Sequence, residues 1–139
     1  MSKFRLDIEY DYDFILIGIS CHEKDYRLCW AMNQALSIDM ARAEPLQISL
    51  KKEDPPASFS LYAHENPEND TACFIVGNRS GSGLLVPEQK HADYFFTAKG
   101  PFGKDDEARM LQAIKNIPFV LTAFALVPAE LKSKQNLVF

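Results

Sequence analysis

Residues 46–77 read LQISLKKEDPPASFSLYAHENPENDTACFIVG, and this stretch decides the fold class. Leu46, Ile48 and Leu50 alternate with Gln47, Ser49 and Lys51, and Phe59, Leu61 and Ala63 alternate with Ser58, Ser60 and Tyr62. A period of two sends successive side chains to opposite faces of an extended chain, so both runs are expected as strands. Between them lies Glu53-Asp54-Pro55-Pro56, whose prolines fix φ and donate to no ladder, so the chain reverses there. A second turn, Glu65 to Asp70, leads to a third strand over Thr71 to Gly77. Strands that follow one another through short turns pair antiparallel.

Upstream, Phe4, Leu6, Ile8, Tyr10, Tyr12 and Phe14 alternate with Arg5, Asp7, Glu9, Asp11 and Asp13, which predicts a long, half-buried strand. Phe14 to Ile19 is apolar at nearly every position and fits a buried strand or a short buried helix; periodicity does not choose between them. Ser20-Cys21-His22-Glu23 has the S-x-x-E form of a capping box, so a helix is expected from Lys24 to Leu36. Tyr26, Cys29, Trp30, Asn33 and Leu36 share one face of it, expected against the sheet.

Downstream, Asn78 to Gly83 reads as a flexible loop, Leu84 to Pro87 as a short extended piece and Tyr94 to Lys99 as a strand. Asp105 and Asp106 favour the positive end of a helix that turns Met110, Leu111, Ile114 and Ile117 inward and stops at Pro118. Phe119 to Val127, apolar except for Thr122, is expected as a central strand covered on both faces. Residues 1–139 thus read as one α+β domain: a mainly antiparallel sheet of about six strands with two principal helices packed on one face.

A 139-residue chain that is 47% hydrophobic, with ten phenylalanines, carries enough apolar surface for one core. Its net charge of -4 disfavours nucleic acid and anionic lipid, which attract basic surfaces. Met1-Ser2-Lys3-Phe4 opens no signal-peptide pattern, and no apolar run reaches the ~18 residues of a membrane span. Cys21, Cys29 and Cys73 are an odd set suited to a reducing compartment, so a cytoplasmic location is expected.

Val86-Pro87-Glu88-Gln89-Lys90-His91-Ala92-Asp93-Tyr94 resembles the stretch that names the bacterial IPExxxVDY family, with Val86 for Ile and Ala92 for Val. The resemblance extends to residues 13–20, 24–30 and 131–137. It implies a domain identity, brings no activity, ligand or catalytic residue with it, and implies that Leu137 and Phe139 are docked on the domain.

Chemistry-bearing residues are few. A zinc reading would combine Cys21, His22 and Cys29 with Cys73, His64 or His91, but structural zinc sites present ligand pairs two to four residues apart. The thiols therefore read as small buried hydrophobes, with no metal and no cofactor expected. Cys21 beside His22 fits a helix first turn better than a nucleophile pair. Asp7, Glu9, Asp11 and Asp13 read as a solvated acidic stripe that discourages edge pairing. Arg79, Glu88, His91 and Asp93 are the candidate polar site: Glu88 and Asp93 face one cleft with Arg79, or they cap turns and pair with Arg79 or Arg27.

Three functional readings follow. The leading one is a non-catalytic protein-interaction module, with a homodimer or another protein as partner, meeting it through a strand edge or an aromatic face. The alternatives are a carrier of a small apolar molecule and an enzyme built on the Glu88, Asp93 and Arg79 cleft.

Overall fold

The computed structural model describes residues 13–139. The strand expected over Phe4 to Phe14, with its stripe Asp7, Glu9 and Asp11, lies outside the described residues except for its last two positions.

The elements are β1 (Ile15–Cys21), α1 (Asp25–Leu36), β2 (Ala41–Arg42), β3 (Leu46–Ile48), β4 (Ala57–Phe59), β5 (Leu61–Asn66), β6 (Thr71–Gly77), β7 (Arg79–Ser80), β8 (Gly83–Leu84), β9 (Tyr94–Lys99), α2 (Lys104–Lys115) and β10 (Val120–Leu126). Short 3-10 turns occupy Pro87–Gln89, Pro128–Glu130 and Lys134–Leu137. Six strands form one sheet in the order β10-β1-β9-β6-β5-β2, with every pair antiparallel. β3–β4 and β7–β8 are separate hairpins. The architecture is α+β. Among the described residues no helix is long and apolar enough to cross a membrane.

Both faces of the sheet are covered. Ile15, Ile17, Ile19, Ile75 and Phe96 meet Leu28 and Met32 of α1 and Met110 and Ile114 of α2. On the opposite face Leu16, Val76 and Phe95 meet Phe59, Leu85, Val86, Leu131 and Leu137. A strand buried on both faces has no polar alternation, and this is why the ambiguous run after Phe14 is the strand β1. Two-sided cover also buries Tyr62, whose place in the alternation pointed outward: it is 5% exposed beneath the helices.

Three expectations are corrected. β1 runs through Cys21, so Ser20 lies in the strand and does not cap the helix; α1 starts after Lys24, without a side-chain cap. The inward face of α1 is Leu28, Cys29, Ala31 and Met32, whereas Tyr26 and Trp30 are 60% and 67% exposed. β10 is the outermost of the described strands on its side, and its burial is interrupted. Its register shifts between Val120 and Thr122, and Leu121 at the shift is 63% exposed. Further along, Phe124 lies across Gly18, where a Cβ would come within 2.5 Å of the ring.

The C-terminal segment closes the face opposite the helices. Leu137 is fully buried, and Phe139 meets Phe74 edge to face with ring centroids 5.0 Å apart. Lys99 Nζ donates to the Phe139 carbonyl at 3.0 Å and stands 5.4 to 5.7 Å from the ring centroids of Phe14, Phe74 and Phe139. Each ammonium–ring contact contributes about 0.5–1 kcal/mol, more where water is excluded. Lys99→Met keeps the stem and removes the charge, so urea denaturation is expected to show a loss of about 2 kcal/mol; an unchanged midpoint would show that the segment is held by apolar packing alone.

Candidate functional site

The geometry of the candidate residues starts at Asn78, which is fully buried where β6 ends. Its Nδ2 donates to the carbonyls of Gln89 (3.1 Å) and Ala92 (2.8 Å), and its Oδ1 accepts from Val86 N (2.8 Å). Its backbone N–H donates to Asp93 O and its carbonyl accepts from Leu85 N, both at 2.9 Å. One residue, by its carboxamide and its main chain together, thus partners five polar groups of the excursion from Leu85 to Asp93. Such satisfaction is obligatory, because a buried amide group without partners costs about 1–3 kcal/mol.

Thus positioned, Asp93 reaches two partners. Oδ1 accepts from Arg79 Nε at 2.8 Å and Oδ2 from Cys21 N at 2.9 Å, while Asp93 N donates to Ile19 O at 2.8 Å. Arg79 Nη2 also donates to Lys90 O at 2.8 Å. The pair therefore ties the β7–β8 hairpin to the excursion and to the end of β1. It lies on a cleft of about 610 Å³ that also takes in Cys21, Glu23, the start of α1 and Tyr94, whose hydroxyl donates to Glu23 O at 2.8 Å.

The candidate residues divide. Arg79 and Asp93 come together, but Glu88 points elsewhere: its carboxylate accepts from Ser133 N at 2.7 Å and Ser133 Oγ at 2.9 Å, in the C-terminal segment. His91 is exposed next to the turn. Arg27 lies 3.4 Å from Glu23 and over the Phe119 ring at 5.3 Å, apart from both carboxylates. Asn78 and Ser133 do the positioning and carry no motif: a buried Asn is recognised by its five bonds, and Ser133 is 45 residues from Glu88.

The electrostatics favour holding over proton transfer. Burial first, then the Glu23 and Asp93 charges, pushes the Cys21 thiol up against the opposing hydrogen bond from Glu23 N. Burial, followed by the charges of Asp25, Cys21 and Asp93, pushes the Tyr94 hydroxyl up. Both stay protonated near neutral pH, and both Asp93 oxygens are occupied. Elsewhere burial pushes the Cys29 and Cys73 thiols up to about 11. Among the described residues no three His, Cys, Asp or Glu side chains gather around a metal position.

No family model matches the chain, and neither a curated protein nor a solved structure matches it.

Asn78→Asp sets a carboxylate against the Gln89 and Ala92 carbonyls, and a stability loss of about 3 kcal/mol or more is expected in urea titration; a loss under about 1 kcal/mol would remove Asn78 from this role.

Burial raises the Glu88 carboxyl, but the hydrogen bonds from backbone N–H groups and the Ser133 hydroxyl outweigh it and hold the group below its ordinary value of 4.5. The Glu88–Ser133 contact is therefore complete above pH 4.5 and is lost as pH falls through the lowered folded value. In an NMR titration the Glu88 carboxyl carbon and the Ser133 amide proton are expected to share one midpoint below 4.5. Separate midpoints would break the link.

Proposed function

We propose that this domain is a non-catalytic protein-interaction module that docks a second copy of itself through the face shared by α1 and α2. The observation that carries this reading is the placement of Trp30. It is the sole tryptophan of the chain, and 67% of it is exposed. Tyr26, one helical turn away and 60% exposed, extends it into an aromatic ridge along α1. Beside the ridge runs a groove of about 630 Å³ lined by Ala31, Ala35, Ala113, Ile117 and Phe119.

A ridge of large rings next to a floor of alanines is self-complementary. Under a two-fold axis the Trp30 of each copy enters the groove of the other, as an isologous interface requires. Burying a Trp ring removes about 150–250 Å² of surface, and aromatic anchors of this kind dominate interface energies. The cleft at Asp93 supports the same reading from the other side, since Asp93, Arg79 and the Tyr94 hydroxyl are already engaged in bonds within the chain. The three buried, unpaired thiols are in keeping with a reducing, cytoplasmic setting. The likeness to the IPExxxVDY family is in this view architectural: Glu88, Asp93 and Tyr94 each fasten one part of the chain to another.

Trp30 is its own reporter. Sedimentation velocity between about 1 and 100 µM, the range for a micromolar interface, is expected to show a monomer–dimer equilibrium, with the tryptophan emission shifting to the blue as dimer forms. Trp30→Ala or Ala35→Glu is expected to give monomer throughout. A wild-type chain that stays monomeric with unchanged emission over that range would overturn the proposal.

A further inference from the structure

A smaller cavity, of about 280 Å³, lies between the end of α1, the first half of α2 and the β5–β6 hairpin. Among its lining residues are Cys73 from β6, His64 from β5 and Met110 from α2. His64 and Cys73 are direct cross-strand partners, which sets their Cβ atoms about 4.5–5.5 Å apart. Cys73 and Met110 are 4% and 6% exposed and belong to the same core cluster.

The imidazole is oriented. His64 Nδ1 lies 3.2 Å from the carbonyl oxygen of Asp39. A carbonyl only accepts, so that nitrogen carries the proton and the neutral ring keeps its lone pair on Nε2. A backbone carbonyl fixing one ring nitrogen is how proteins hold a histidine whose other nitrogen binds a metal.

We propose that Cys73, His64 and Met110 form a binding site for a soft monovalent metal ion of the Cu(I) or Ag(I) kind. The donors are one thiol, one imidazole and one thioether. Sulfur donors of this softness select Cu(I), whereas zinc and the hard cations look for further imidazole, thiolate or carboxylate ligands, and among the described residues no third His, Cys, Asp or Glu joins this pair. Charge points the same way. Binding replaces the Cys73 S–H bond with a sulfur–metal bond and releases the proton to solvent, so thiolate and monovalent ion cancel. A neutral pair suits a cavity lined by Phe96 and Phe102 and also by the cation Arg109, beside which a divalent ion would leave a second positive charge. The site is independent of the α1–α2 docking face.

The test is a Cu(I) titration of the intact chain, under anaerobic conditions and without added thiol, against a chromophoric Cu(I) chelator. The expected result is one Cu(I) withheld per chain, lost in Cys73→Ser, weakened about tenfold or more in His64→Gln and Met110→Leu, and unchanged in Cys21→Ser and Cys29→Ser. Met110→Leu nearly conserves core volume, so it separates lost binding from lost folding. X-ray absorption of the loaded protein is expected to show two sulfur neighbours and one nitrogen. No Cu(I) withheld from the chelator would overturn the site. So would binding that survives both His64→Gln and Met110→Leu, the mark of a lone adventitious thiol.

Discussion

The carboxamide of Asn78 is the constraint on which the rest of this chain depends. The peptide leaves the sheet after β6, wanders for sixteen residues from Asn78 to Asp93, and must return in register as β9 between β6 and β1. An excursion of that length carries many backbone groups inward, and each needs a partner if it is to leave water. Asn78 offers donors and an acceptor in one plane and meets them from the centre. What the excursion displays then falls into place: Asp93 at the end of β1, and Glu88 against the C-terminal segment.

The interior strands of the sheet separate two cores, and this division explains what was legible in the sequence. Thr71–Gly77 and Tyr94–Lys99 were readable to the residue because turn-forming residues bound them on both sides. The helix after Lys24 was readable, but not its orientation. Trp30 falls at helical spacing from Tyr26 and Asn33, and spacing alone does not say which of two adjoining stripes meets the sheet. Leu28 and Met32 occupy the other stripe and bury more completely. The apolar run in β10 pointed to the centre of the sheet, yet the register shift at Leu121 turns part of it outward.

The candidate polar residues show a similar boundary. Arg79 and Asp93 are near enough in sequence for a pairing to be foreseen as one of two outcomes, and the 2.8 Å contact joins them. Glu88 lies only five positions from Asp93 but serves a different contact, because the 3-10 turn from Pro87 to Gln89 sets its side chain toward Ser133. The cross-strand meeting of His64 and Cys73 had no local signal, since it depends on the register of a hairpin rather than on ligand spacing.

The C-terminal segment has a consequence for the order in which the chain can mature. Leu131 and Leu137 cap a face built by Leu16, Val76 and Phe95, residues made much earlier during synthesis. The helices can seal their own side of the sheet once α2 and β10 have emerged. On the opposite side Phe59, Leu85 and Val86 give early cover, but the part capped by Leu131 and Leu137 stays open until residue 137 has left the ribosome, so a nascent chain with its sheet already paired still presents a greasy flank. That interval is when a chaperone, or an unwanted neighbour, has access to it.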